Sequence, residues 1–329
     1  MSTFTITIVG TGVIGTSLGL ALKQKDESLR LVAHDKDLGN AKAAAKLGAF
    51  DKVEWNLINA CDQADLIMLA IPLSGIQFTL KAIADDLKQN VVISDTAASK
   101  AIVSTWAEEL LPDHAHYVGG NPLVRPTGLG YENAAADLFH GELYCLTPSA
   151  SANEQAVQLM VDIVALLGAE AFFLDPAEHD GLTAATEYLP TLLSVALMRT
   201  LTQQKTWREQ RKLAGQRFEQ VTSGAVGDPD SLRDGFLENS DSLTRWLDLT
   251  IAHLQQLRSL IAAGHESEET LAQIIDQAVV ERTNWMVDVD KGRFTDPELA
   301  SPKVERPGFL QQMIGFGGFR RRDSDPSKK

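Results

Sequence analysis

FTITIVGTGVIG, residues 4–15, decides how this chain folds. A strand-like run, FTITIVG (4–10), leads into a GxGxxG loop, and a helical pattern follows from Ile14 to about Lys25. A lone GxGxxG is a weak signal, but one that leaves a strand and opens a helix is a dinucleotide fingerprint. Gly10 permits the tight turn, Gly12 lets the backbone approach a pyrophosphate, and Gly15 lets helix and strand pack closely. Thr11, Val13 and Ile14 complete the loop and the first helical turn, whose free N–H groups and positive potential suit phosphates. Asp35 ends the second strand, twenty residues after Gly15, where an acidic side chain binds ribose hydroxyls. A carboxylate there disfavours a 2′-phosphate, which points to NAD; Lys36 follows directly and could soften that preference, so NADP stays open.

Outward from this loop, strand-like and helical runs alternate. LVAHD (31–35), DLIMLAIP (65–72), NVVISD (90–95), HYVGGNP (116–122), GELYCLTP (141–148) and AEAFFLD (169–175) read as further strands. Helical stretches between them, one of them AKAAAKLGA (41–49), predict a Rossmann-type, doubly wound, mostly parallel sheet over residues 1–174. In such sheets ligands lie outside the carboxyl ends of the strands. Ala70-Ile71-Pro72, Asp95-Thr96-Ala97-Ala98-Ser99-Lys100 and Asn121-Pro122 therefore converge on one crevice beside the glycine loop.

The pattern changes at Asp175-Pro176-Ala177-Glu178, a helix start with an N-cap, a proline at the first position and a glutamate at the third. Leu182, Ala185, Leu189, Leu192, Leu193 and Ala196 then recur at helical spacing and predict a buried apolar face. Asp228-Pro229 predicts one very long helix to about Ala263, and 267–286 another, capped by Ser267. These helices make residues 175–286 an all-helical substrate and dimerisation domain. Residues 287–329 read as a poorly ordered tail. Its FLQQMIGFGGF run before Arg320–Arg322 fits docking on the protein or weak membrane contact.

The chain has 329 residues, consistent with two domains at roughly 150 residues each. Its 44 acidic and 30 basic residues give a net charge of −14, which leaves no basic field for nucleic acid. No apolar run reaches the ~18 residues a membrane span needs. Cys61 and Cys145 lack metal-ligand spacing and read as free thiols; with no leader-like N-terminus they predict a cytoplasmic protein.

The order of these pieces is similar to the prephenate and arogenate dehydrogenase family of tyrosine biosynthesis. That family runs from a glycine fingerprint through Asp-x-x-Ser-x-Lys to Gly-His-Pro, Leu-Phe, Leu-Thr-Pro, Asp-Pro-x-x-His-Asp and a Ser-His-Leu-Pro-His helix. Here stand Asp95 to Lys100, Gly120-Asn121-Pro122, Leu138-Phe139, Leu146-Thr147-Pro148, Asp175-Pro176 with His179-Asp180, and Leu189-Pro190. Leu232-Arg233-Asp234 and Leu237-Glu238-Asn239 resemble the family's long-helix signature. The resemblance covers roughly residues 4–285. It implies NAD(P)-dependent oxidation of a cyclohexadienyl ring alcohol, loss of the ring carboxylate and aromatisation, in a homodimer acting on a small carboxylate substrate.

The substrate half departs from the family. Its ring-hydroxyl histidine is Asn121, which cannot take a proton near pH 7; its loop serine is Ala98, with Ser99 adjacent; its helix Ser-His is Glu187-Tyr188, and the second His is Thr191. Asn121, Glu187, Tyr188 and Lys100 are therefore the catalytic candidates, and Ser99, Arg125 and Arg217 the substrate-binding ones. Each has a plainer reading: Glu187 as a solvated helix residue, Tyr188 as packing, Lys100 as a charge partner of Asp95 and His179 as structural. Two other functions fit the same fold, a β-hydroxyacid-dehydrogenase-like enzyme on another small acid and a catalytically inactive NAD-binding homologue. TEYLPTLLS (186–194) lacks the lysine the former normally uses.

Overall fold

The computed structural model describes residues 3–291. Its strands are β1 (Thr5–Val9), β2 (Arg30–His34), β3 (Lys52–Val53), β4 (Leu66–Leu69), β5 (Val92–Asp95), β6 (His116–Pro122), β7 (Leu143–Pro148) and β8 (Glu170–Phe173). They form one sheet in the order β3-β2-β1-β4-β5-β6-β7-β8. Every neighbouring pair is parallel except β6 and β7. The two-residue β3 is too short to leave a period in the sequence and was not expected.

Helices α1 (Val13–Lys25), α2 (Leu38–Lys46), α3 (Leu57–Cys61), α4 (Leu73–Ile83), α5 (Ala101–Leu110) and α6 (Glu154–Leu166) cover both faces. Alternation along the strands divides the core. Ile6, Ile8, Leu66 and Met68 join Leu18, Leu22, Leu159 and Ile163 of α1 and α6. Val9, Ile67 and Leu69 join Cys61, Ile76, Leu80 and Val103 of α3, α4 and α5 on the other side. Each buried Leu, Ile or Val contributes about 1.5–3 kcal/mol. The chain leaves β1 outward to β2 and β3, then crosses to β4 on the other side of β1. The carboxyl ends of β1 and β4 therefore flank the switch point, where a crevice opens.

The second half holds α7 (Pro176–Thr183), a π turn (Ala184–Tyr188), α8 (Leu189–Thr202), α9 (Trp207–Leu213), α10 (Gln216–Thr222), α11 (Pro229–Glu238), α12 (Ser240–Ala263) and α13 (Glu268–Lys291). Asp175 caps α7, accepting from the N–H groups of Ala177 and Glu178 at 2.8 and 3.4 Å. The long helix expected from Pro229 breaks at Asn239. There the side-chain amide donates to the Gly235 carbonyl at 2.9 Å and to Ser99 Oγ at 3.1 Å, in competition with regular helix geometry. The short α9 and α10 bury no residue and so carried no apolar period.

The face expected to be buried after Asp175 is also different. Leu182 is 51% exposed, while His179, Asp180, Thr183, Tyr188 and Ser194 are buried. A buried polar face is what a site requires. The apolar side chains of α12 and α13, among them Leu254, Ile261, Ile275 and Val279, lie open on the chain's surface. Among the described residues no helix is long and apolar enough to cross a membrane. Helix α13 runs five residues past its expected end, and the expectations for the remaining tail lie outside the described residues.

Candidate active site

Gly10 turns the chain at φ +96°, and its N–H donates to the His34 carbonyl at 2.8 Å. A Cβ there would sit 2.2 Å from the Ala70 carbonyl oxygen, so only glycine lets the loop lie against the exit of β4. At Gly15 a Cβ would fall 1.9 Å from the Gly10 oxygen, which locks α1 onto the loop. Gly12 is the opposite case, with nothing within 4 Å of a Cβ. There α1 begins without a side-chain cap, which leaves its first N–H groups to bind an anion. Asp35 accepts from Thr11 N at 2.7 Å and Thr11 Oγ1 at 2.8 Å through Oδ2, and from Asp37 N at 2.9 Å through Oδ1. A carboxylate has about four acceptor positions, so about one remains for a ribose hydroxyl. Val13 and Ile14 take part through their backbone in the first turn, and Pro72 caps α4 across the crevice beside Ala70. The cradle fits a dinucleotide.

In the loop after β5, Lys100 fits its plainer reading as the charge partner of Asp95. Asp95 and Lys100 are both fully buried and ion-paired to each other. Tyr117 donates to Asp95 at 2.5 Å and Ala97 N at 2.8 Å, while Lys100 Nζ also holds the Gly120 carbonyl at 2.7 Å. Burial pulls the Lys100 pKa down, and the adjoining Asp95 carboxylate works against that. Both side chains are turned into the protein, where the contacts of Asp95 and Lys100 are with each other and with neighbouring groups of the chain. Together they pin the strand immediately before Asn121.

Ser99 and Tyr188 are also turned inward, and Tyr188 fits its plainer reading as a packing residue. Ser99 is fully buried, its hydroxyl 2.6 Å from the Tyr188 hydroxyl and bonded by Asn239. The Tyr188 ring packs edge-on against Phe236 of α11, and burial pushes its pKa up to about 12. The trio ties the β5 loop to the π turn and to the α11–α12 junction.

From Asn121, the expected catalytic candidate at the carboxyl end of β6, runs a chain of contacts whose pairing the sequence did not disclose. Asn121 Nδ2 lies 3.0 Å from His179 Nε2, and His179 Nδ1 lies 2.9 Å from Asp180 Oδ1. Asp180 in turn accepts from Lys100 N at 2.7 Å and Ala101 N at 2.9 Å, at the start of α5. A histidine directly followed by aspartate, one turn into a helix, was the available signal.

The π turn places Glu187. At ~100° per residue Glu187 would stand about 80° around the helix from His179. The extra residue of the π turn removes about that rotation and brings both onto one face. Glu187 keeps contact with solvent, yet surrounding protein raises its carboxyl pKa, with His179 pulling the other way. Arg125, in the loop after β6, and Arg217, on α10, are both exposed, and among the described residues no hydrogen bond or ion pair ties either to Asn121.

Two consecutive family models match the chain: "Prephenate dehydrogenase, nucleotide-binding domain" over residues 18–173 and "Prephenate dehydrogenase, dimerization domain" over 175–277. The prephenate dehydrogenase of Bacillus subtilis is 28% identical over 261 residues, covering 78% of this chain and 70% of that protein. The cyclohexadienyl dehydrogenase of Zymomonas mobilis is 29% identical over 260 residues, covering 78% and 88%. In fold, the chain resembles the crystal structure of prephenate dehydrogenase from A. aeolicus in complex with hydroxyphenyl propionate and NAD+, with a TM-score of 0.78 at 24% identity over 86% of this chain and 99% of that one. With a dinucleotide cradle at one end of the crevice and both domain types matched in order, the chain belongs to the prephenate dehydrogenase family.

Proposed function

We propose that this chain is an NAD-linked dehydrogenase that oxidises a cyclohexadienyl ring alcohol of the prephenate or arogenate kind and releases its ring carboxylate as carbon dioxide. The observation that carries the reading is Asn121, held by His179 on the same carboxyl edge as the glycine loop. It stands three strands along, about 14 Å at the ~4.8 Å strand spacing. The substrate class follows the names of the relatives, prephenate and cyclohexadienyl dehydrogenases. NAD, when bound, supplies the acceptor for the ring hydride. Gly10 to Gly15 hold its pyrophosphate, and Asp35 a ribose.

Asparagine can do the work because of the proton balance. Hydride leaves the carbinol carbon, the bond to the ring carboxylate breaks, and that bond's electron pair completes the aromatic ring. The product phenol keeps a hydroxyl proton, so the conversion releases none overall. Asn121 therefore needs only to accept a hydrogen bond from the hydroxyl while positive charge builds on the ring, which places it among electrostatic stabilisers rather than general bases. Glu187, on the face of His179, borders the same substrate position, and Arg125 and Arg217 are the cations available for substrate carboxylates. The open apolar face of α12 and α13 supports a homodimer, and two buried free thiols suit the cytoplasm.

The test is product identity. With NAD and prephenate or arogenate, mass spectrometry is expected to find a phenol lacking the ring carboxylate. NAD binding with neither product would overturn the reading.

A further inference from the structure

Resting on that reading, we propose that His179 is a positioning residue that fixes which end of the Asn121 side chain faces the substrate. An asparagine amide has one acceptor end and one donor end, and only the acceptor can polarise a hydroxyl toward losing hydride. The choice is made by neighbours buried in the protein. Asp180 Oδ1 lies 2.9 Å from His179 Nδ1, and the same oxygen already accepts from Lys100 N at 2.7 Å. A carboxylate only accepts, so His179 Nδ1 carries the proton. In a neutral ring Nε2 is then a bare acceptor, and the atom facing it at 3.0 Å must be a donor, Asn121 Nδ2.

Asn121 Oδ1 is thereby turned away from His179. His179 is 1% exposed and Asn121 5%, so bulk water cannot scramble the arrangement. With the opposite tautomer, His179 Nε2–H would donate to Oδ1, the amide would reverse, and a donor would meet the substrate hydroxyl. Asp180 thus sets the ring, the ring sets the amide, and the amide sets the hydroxyl. His179 itself touches no substrate.

Two measurements test this. The first is the ring ¹⁵N spectrum of histidine-labelled protein, with the His179 signals identified by their loss in His179→Gln. The expected pattern is a protonated Nδ1 and a bare Nε2; a protonated Nε2 overturns the proposal. It needs no turnover, so it stands apart from the dehydrogenase reading, which falls alone if the wild type forms no phenol.

The second is a double-mutant cycle on kcat with NAD. His179→Leu is expected to lower kcat roughly 10²-fold at unchanged NAD affinity, the scale of a misplaced catalytic contact. His179→Gln can still accept through Oε1 and is expected to lose less. In an Asn121→Ala background both changes at His179 should have almost no further effect, since the residue they act through is gone. Equal losses in both backgrounds would mean that His179 is merely part of the packing, and would overturn the proposal. Should His179→Leu fail to fold, the Gln variant carries the same comparison.

Discussion

Replacing Lys100 by methionine separates a structural lysine from a catalytic one. Lys100 and Asp95 are each fully buried, and the ammonium also holds the carbonyl of Gly120 at 2.7 Å. Methionine fills most of the space and removes the charge. It leaves a buried carboxylate supported, among the described residues, by Tyr117 at 2.5 Å and Ala97 N at 2.8 Å. Removing one partner of such a pair costs about 3–5 kcal/mol. At roughly 2–4 °C per kcal/mol, that lowers Tm by about 6–20 °C. The assay is urea unfolding followed by tryptophan fluorescence, with thermal melts alongside. Asp95→Asn added to Lys100→Met is expected to recover most of the loss, because no charge is then stranded and Tyr117 keeps its acceptor. A Lys100→Met protein that unfolds like the wild type but has lost kcat at unchanged KM would refute the argument and return Lys100 to the chemistry.

Other consequences can be checked separately. Burial raises the Cys61 thiol from 9.0 to about 12 and Cys145 to about 11, so neither is expected to react with a disulfide reagent at pH 8 until denaturant is added. Both thiols keep their protons in the folded state after the unfolded chain has lost them; this contribution is complete below about pH 9 and declines as pH rises through the folded values. Burial raises the Glu187 carboxyl above 4.5, so its contribution is present at low pH and is lost as pH rises. Glu187→Gln should therefore match or exceed the wild-type urea midpoint at pH 7, and a clear loss would show that the charged form is stabilised. Leu254→Asp with Ile261→Asp, at side chains 55% and 68% exposed on the chain, should reduce the mass by light scattering from twice 35.8 kDa to one chain.

The nucleotide half was legible because its signals are local. A turn glycine at φ +96°, a strand of five buried residues and an aspartate at the next strand end each declare themselves within a few positions. The site beside it is made by contacts between residues far apart in sequence. His179 reaches Asn121 across 58 positions, and Asn239 reaches Ser99 across 140. Neither pairing leaves a period or a spacing. Lys100 and Ser99 sit in a loop that does run to the crevice, but they are turned inward by Asp95, Tyr188 and Asn239, none of which a spacing rule could assign to them. Asn239 also shows why one long helix was expected: nothing in LENSDSL (237–243) breaks a helix until its amide finds Ser99.

In the proposed function a cofactor cradle of ordinary design serves a substrate site whose acceptor is an amide. The most direct measurement is absorbance of reduced nicotinamide as purified chain turns over prephenate or arogenate with NAD, beside Gly12→Asp, which fills the open loop with a carboxylate. The wild type is expected to turn over substrate and Gly12→Asp is not, at equal folded stability. Tight NAD binding by the wild type without turnover of either substrate would contradict the proposed function.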